Sequence, residues 1–112
     1  MRSENRLRSR SHVRTALREG RRVTRPEFVL YHFAREAPGP ARVALSVGRR
    51  IGGAVVRNRV RRLLREAFRP LLPRLVTCDI VVVARPDILG AGVEDLEKAL
   101  ADVAARAGLL LT

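Results

Sequence analysis

The densest group of residues that could do chemistry lies between Arg57 and Arg69. Six of these thirteen residues are arginines, and Glu66 is the only acid among them. Guanidinium groups bind phosphate in a bidentate way and stack on nucleic-acid bases. Like charges four residues apart on a helix repel, and the row formed by Arg57, Arg61 and Arg65 has no acid to relieve this. We therefore interpret the stretch as a polyanion-binding surface, in preference to the alternative of a solvated helical face.

A second basic group precedes this stretch. Arg49 and Arg50 lie just before Gly52-Gly53, at the predicted start of the helix. Free N–H groups at a helix N-terminus favour phosphate. Asn58 is either a solvent-facing amide or the donor of a directional hydrogen bond to sugar, base or phosphate. The candidate RNA-binding residues are Arg49, Arg50, Arg57, Asn58, Arg59, Arg61, Arg62, Arg65 and Arg69.

The sequence offers no recognisable protein active site. His12 and His32 have no cysteine or carboxylate at metal-ligand spacing, and Asp79 and Asp87 form no evident acid–base pair. Phosphate-binding loops of the GxxxxGK[ST] type and zinc-ligand spacings are also absent. We therefore expect no catalytic residue and no metal ligand in the protein, so that another molecule must supply any active site.

Charge is unevenly distributed along the 112 residues. The formal net charge is +12, but residues 1–78 carry +15 and residues 79–112 carry −3. A polyanion is therefore attracted to one part of the molecule. We expect a single RNA-binding domain over residues 1–112, with a basic N-terminal arm at about 1–10 that is mobile at least in part.

Localisation is inferred from features that the sequence lacks. The basic N-terminus is not followed by the apolar segment of a signal peptide, and no stretch is long and apolar enough for a membrane span. The single cysteine, Cys78, excludes an internal disulfide. We therefore expect a cytoplasmic protein.

Six elements are predicted to position these residues. They are a helix from an N-cap at Ser11 to Gly20, strands at Phe28–Phe33 and Arg42–Val47, a helix at about Ala54–Phe68, a strand at Asp79–Arg85 and a helix at Val93–Ala107. Apolar residues on both faces of the first strand indicate cover on both sides. We expect the first two strands to pair as a hairpin.

The long helix is predicted to turn a core stripe inward, formed by Val56, Val60, Leu63, Leu64 and Ala67. The second strand, this helix and the third strand form a βαβ unit, for which the general preference is a right-handed crossover. The fold class is α+β, in the order α-β-β-α-β-α.

Several short motifs together resemble the protein component of bacterial ribonuclease P. The main one is Arg57-Asn58-Arg59 with the residues that follow it to Glu66, which resembles the RNR signature of that family. Further similarity covers about residues 5–107. It lies in Asn5-Arg6-Leu7, Phe28-Val29-Leu30-Tyr31, Ala44-Leu45-Ser46-Val47, Arg49-Arg50-Ile51-Gly52 and Asp79-Ile80-Val81-Val82-Val83-Ala84-Arg85.

The resemblance implies a two-layer sandwich of a small mixed sheet and three helices, with an unusual left-handed βαβ crossover. It also implies the protein subunit of an enzyme that removes the 5′ leader from precursor tRNA by endonucleolytic cleavage. In the enzyme that the resemblance implies, the RNA subunit holds most of the Mg²⁺ and does the chemistry. The protein binds the catalytic RNA and the leader and raises the affinity for substrate and Mg²⁺.

The resemblance also implies roles for individual residues. Arg57, Asn58, Arg59, Arg62 and Arg65 face the catalytic RNA and the substrate near the cleavage site. The implied leader cleft contains Val13, Leu17, Tyr31, Arg50, Arg57 and Asn58. The family often carries phenylalanine where this chain has Val13 and Leu17, which weakens the expectation of base stacking on that wall.

Two other functions agree with the size and charge. A structural RNA-binding protein, such as a ribosomal protein, would sediment with ribosomal subunits. A DNA-binding architectural protein would bind duplex DNA and structured RNA equally well at matched salt, because charge alone would drive binding. We rank the DNA-binding hypothesis last and expect no DNA or membrane partner.

Overall fold

The computed structural model describes residues 1–111, which form three α-helices and a four-stranded sheet. The elements are α1 (Arg10–Glu19), β1 (Arg21–Thr24), β2 (Phe28–Ala34), β3 (Arg42–Ser46), α2 (Ala54–Phe68), β4 (Cys78–Ala84) and α3 (Val93–Arg106). This order matches the predicted one with a single added strand, β1. The α+β class is therefore confirmed.

The strand β4 occupies the interior of the sheet, whose order is β1-β2-β4-β3. It pairs antiparallel with β2 and parallel with β3. The parallel pair confirms the βαβ unit of β3, α2 and β4. The left-handed crossover that the resemblance implies stays a prediction.

The predicted hairpin between β2 and β3 is wrong. Instead β2 forms its hairpin with β1, from the pair Arg21 and His32 to the pair Thr24 and Val29. The N–H of Arg25 donates to the Phe28 carbonyl across the turn, at 2.8 Å. The apolar strand β4, which is buried on both faces, lies between β2 and β3 and separates them.

Both faces of the sheet are covered by helices. On one face, Val60, Leu64 and Phe68 of α2 join the main core, to which α3 also contributes. On the other face, Ala16 of α1 packs in a smaller cluster with Val81 of β4. The expected cover on both sides of β2 is thus observed, and α1 adds a partial third layer to the two-layer sandwich that was expected.

The N-terminal region is more ordered than its composition indicates. Asn5 and Leu7 are buried, and the Leu7 N–H donates to the Val43 carbonyl at 3.0 Å. This part of the basic arm is therefore packed on β3, and the expected partial mobility of the arm stays a prediction. The N-cap of α1 is Ser9, two residues before the predicted Ser11, and its hydroxyl accepts from the His12 N–H.

Gly20 ends α1 as predicted, but for a steric reason. A Cβ at this position would lie 2.4 Å from the Ala16 carbonyl oxygen and 2.7 Å from that of His32. The end of α1 and strand β2 are therefore too close for any side chain at residue 20. This close approach fixes α1 over its face of the sheet.

Candidate nucleic-acid interface

Burial of one side of α2 determines which of its residues face outward. Val60, Leu64 and Ala67 are buried as predicted, and Val56 and Leu63 are partly buried at the edge of the stripe. Because a helix repeats every 3.6 residues, this inward stripe leaves most of the remaining circumference to the arginines. The observed bounds of α2 are those that the sequence predicts.

Two glycines shape the turn that leads into α2. Ile51 is buried and anchors the turn, while Arg49 and Arg50 are exposed beside it. Gly52 has a φ of 155°, and a Cβ there would lie 3.0 Å from the Val56 side chain. Gly53 is the N-cap and offers no side-chain cap, and the first turn contains no acid. The positive end of the helix dipole is therefore not neutralised by its own sequence.

Arg57 and Asn58 have different environments on the first turns of α2. Arg57 is half-buried, and its Nε is buried without a hydrogen-bond partner within residues 1–111. Asn58 is exposed, and its Oδ1 accepts from Nη1 of Arg61 at 3.0 Å. Asn58 thus fixes the position of the Arg61 guanidinium. A solvent-facing amide and a hydrogen bond to RNA were the alternatives considered from sequence, and neither includes this role.

The outer face of α2 is cationic and almost without acids. Arg59, Arg62, Arg65 and Arg69 are exposed. Of these four, only Arg69 has an ion pair within residues 1–111. Its partner is Glu66, at 3.7 Å, and the side chains of both residues are largely exposed. Exposed pairs of this kind contribute about 0–1 kcal/mol, so they do not compensate the charge of the face.

The face of the sheet that α1 covers contains the apolar part of the implied leader cleft. Val13 and Tyr31 pack partly buried in the cluster that includes Ala16 and Val81. Leu17 lies at the margin and is 40% exposed. The structure therefore places Val13 and Tyr31 together and leaves Leu17 accessible next to them.

The basic part of the implied cleft lies elsewhere. Arg57 and Asn58 belong to α2, which packs on the opposite face of the sheet from α1, and Arg50 precedes that helix. Among the hydrogen bonds and ion pairs of residues 1–111, none joins these three residues to Val13, Leu17 or Tyr31. A single cleft made of all six residues stays a prediction.

Sequence reasoning missed a buried ion-pair cluster next to α1. Asp79 is buried and accepts two hydrogen bonds from Arg42, at 2.9 Å from Nε and 3.0 Å from Nη2. Nη1 of Arg35 lies 3.5 Å from the same carboxylate, and Nη2 of Arg42 lies 3.4 Å from Nδ1 of His12 on α1. The cluster connects β4, β3, the end of β2 and α1. Residues 37 positions apart form its central pair, so local sequence patterns carry no signal for it.

Burial shifts the protonation equilibria of two side chains. It lowers the pKa of His32, and the positive charge of Arg21 lowers it further. Burial also raises the pKa of the Cys78 thiol to about 11, with a smaller contribution from the Asp79 carboxylate. Cys78 is therefore a buried neutral thiol, in agreement with a packing role.

Comparison with known proteins identifies the family. A model of the family described as Ribonuclease P matches residues 1–108. The chain belongs to the ribonuclease P protein family. The ribonuclease P protein component of Symbiobacterium thermophilum is 39% identical over 111 residues, covering 98% of this chain and 96% of that protein. That of Brevibacillus brevis is 34% identical, covering 98% and 88%.

Solved structures of ribonuclease P proteins have the same fold. A Staphylococcus aureus ribonuclease P protein superposes with a TM-score of 0.85 at 24% identity, over 96% of this chain and 98% of that one. The Thermotoga maritima protein, in complex with 1-(4-fluorophenyl)-2-thiourea, gives 0.79 at 25% identity, over 90% and 98%.

Family membership gives the general role of the chain. It is the accessory protein subunit of ribonuclease P, a ribonucleoprotein endoribonuclease of tRNA processing, and it works with the ribonuclease P RNA. Of the functions considered from sequence, this selects the ribonuclease P subunit over a structural RNA-binding protein or a DNA-binding protein. Within residues 1–111, no helix is long and apolar enough to cross a membrane.

Ribonuclease P enzymes use Mg²⁺. In the part of the chain that the structure describes, no three His, Cys, Asp or Glu side chains converge as metal ligands. The buried carboxylate of Asp79 is already paired with Arg42. Asp79 is therefore committed to Arg42 and is not available as a Mg²⁺ ligand in this arrangement.

Proposed function

We propose that this subunit binds the catalytic RNA through the arginine face of α2 and the 5′ leader of precursor tRNA at the face of the sheet next to α1. The observation that carries the proposal is the uncompensated charge of α2. Arg59, Arg62 and Arg65 are exposed and have no ion pair within residues 1–111, on a helix whose first turn holds no acid. Such a face is stabilised by a polyanion.

The start of α2 supports an RNA contact as well. Arg49 and Arg50 are exposed beside the uncapped N-terminus, so guanidinium groups and backbone N–H groups face the same solvent region. Val55 is 84% exposed, one turn before Arg59. An apolar side chain among arginines suits contact with a base or ribose better than it suits solvent.

Leader binding is assigned to the other face because single-stranded RNA needs a mixed apolar surface. Tyr31 is partly buried, Val13 packs near it, and Leu17 is accessible. With aliphatic side chains in place of aromatic ones, this wall contacts the leader by van der Waals packing, with less stacking. The Mg²⁺ ions that act in cleavage are held mainly by the RNA subunit in this proposal.

The proposal is tested by cleavage of precursor tRNA at low Mg²⁺. The purified protein alone should not cleave, and the protein with the cognate RNA should cleave at one 5′ position faster than the RNA alone. If added protein left the rate and the site of cleavage by the RNA unchanged, the proposed function would be wrong.

The role of α2 is tested by the salt dependence of RNA binding. Arg62→Ala and Arg65→Ala should each reduce the slope of log affinity against log salt by about 0.7–0.9, the value for one phosphate contact. Arg106→Ala is the matched control, because Arg106 lies on α3 and pairs with Asp102 at 3.1 Å. Unchanged slopes for both α2 variants would place their side chains in solvent.

A further inference from the structure

The packed part of the N-terminal arm turns two arginines toward α2. Arg6 forms a parallel bridge with Val43 at the edge of β3, and Asn5 donates from Nδ2 to the Ala41 carbonyl at 2.9 Å. Successive side chains of an extended segment point to opposite sides. Leu7 is buried in the cluster on the α1 face, so Arg6 and Arg8 point to the opposite side, where α2 lies.

A hollow of about 290 Å³ lies between the arm and α2. Arg6 and Arg8 line one side of it, Arg61 and Arg65 line the other, and residues 43–45 of β3 also contribute. None of its lining residues is acidic. Its size is sufficient for a phosphate group with its ester oxygens, and four arginines line it.

Within residues 1–111, none of these four arginines lies within ion-pair distance of an acid, which is also true of other arginines such as Arg59 and Arg62. Two have neutral partners that fix their direction. Arg8 donates to Ser3 Oγ at 3.2 Å, and Arg61 donates to Asn58 Oδ1 at 3.0 Å.

Arginines elsewhere show the contrast. Arg42 is neutralised by Asp79 at 2.9 Å, and Arg25 lies 3.3 Å from Glu27 and 3.6 Å from Asp102. Acids thus compensate Arg42 and Arg25, whereas no acid within residues 1–111 compensates the four arginines around the hollow. Mutual repulsion of the unpaired group is relieved when an anion enters.

We infer that the arm and α2 form a phosphate-binding site for an RNA backbone, in which Arg6 and Arg8 act with Arg61 and Arg65. The inference rests on the proposed function and extends its interface from the outer face of α2 to the N-terminal arm. Because the arm is already packed on β3, binding does not have to order it, which reduces the entropy cost. The ligand is a phosphodiester of either the catalytic RNA or the precursor tRNA.

The test compares two double variants that lose the same charge. Arg6→Ala with Arg8→Ala removes one side of the site, and Arg74→Ala with Arg106→Ala removes two arginines that do not line the hollow. One titration measures the protein with catalytic RNA alone, and a second measures the assembled enzyme with precursor tRNA, each over a range of salt concentrations.

We expect the arm variant to lose about 0.7–0.9 units of salt slope, equivalent to one phosphate contact, in one of the two titrations. A loss with catalytic RNA alone identifies that RNA as the ligand, and a loss only with precursor tRNA identifies the substrate. The inference is overturned if neither slope changes, or if the Arg74 and Arg106 variant loses as much.

A second arm variant and a thermal unfolding measurement serve as controls for correct folding. Arg6→Lys with Arg8→Lys keeps both charges and should retain the wild-type slope, and a slope as low as that of the alanine variant would contradict an electrostatic site. The proposed function is judged separately, by whether wild-type protein stimulates cleavage. If the wild-type protein stimulates cleavage but the arm variant binds RNA like the wild type, only this phosphate site is refuted.

Discussion

Arg57 differs from the exposed arginines of α2 in that part of its side chain is enclosed. Its Nε is buried without a hydrogen-bond partner within residues 1–111. A buried unpaired donor costs about 1–3 kcal/mol. Sequence periodicity places this residue on the charged side of the helix and cannot reveal that part of its side chain is enclosed by neighbouring structure. Retention of a destabilising donor is typical of a functional residue and agrees with the proposed RNA contact of Arg57.

A substitution separates the two effects at Arg57. Arg57→Met keeps a long unbranched side chain without the buried donor, so the free energy of unfolding should rise by about 1 kcal/mol. Affinity for the catalytic RNA should fall at the same time, because one cation is lost. Urea unfolding and RNA titration measure the two quantities. A less stable protein with unchanged RNA affinity would contradict both parts.

At the scale of elements, α2 was predicted to the residue because it is long and its apolar spacing is regular. The strand β1 was missed because Arg21-Arg22-Val23-Thr24 has only one apolar side chain, which is enough for an edge strand. The pairing of β2 with β4 joins Phe28 to Ala84, 56 positions away, so it depends on tertiary packing that local patterns do not encode. The packing of the arm had a weak signal in the sequence, because Arg6-Leu7-Arg8 alternates polar and apolar residues as a strand does.

Adjacent leucines of α2 should differ in their contribution to stability. Leu64 is completely buried, whereas Leu63 is only partly buried. Leu64→Ala should therefore lower the free energy of unfolding by about 2–5 kcal/mol, and Leu63→Ala by clearly less. Arg62→Ala on the exposed side should change it by no more than about 0.5 kcal/mol. Equal losses for the two leucines, measured in urea, would mean that α2 is rotated relative to this description.

At the scale of the whole molecule, the sheet separates two surfaces. The helix α2 and the arm present arginines on one side, and on the other side Val13 and Tyr31 lie beside an α1 whose Arg10, Arg14 and Arg18 are also exposed. Composition predicted that charge is concentrated in residues 1–78, but it could not assign those charges to faces, because faces arise from strand order. Two surfaces divided by a packed sheet should respond independently to substitution.

Leu17→Phe tests this independence and the effect of the missing aromatics. Leu17 is 40% exposed, so a larger ring fits without repacking the core, and stacking on a leader base should tighten binding of precursor tRNA. We expect a gain of about 1 kcal/mol, roughly fivefold in Kd, for the assembled enzyme. Tyr31 already lies on this face and would extend the stacking surface.

The control for this substitution is Leu89→Phe, at a leucine of similar exposure, 45%, that lies outside the α1 face. It should leave the Kd unchanged, and so should Leu17→Phe when mature tRNA without a leader is the ligand. Affinity for the catalytic RNA should also stay constant, since that contact lies across the sheet. An equal gain for leaderless tRNA would show that the ring contacts the tRNA body, and the α1 face could then not be assigned to the leader.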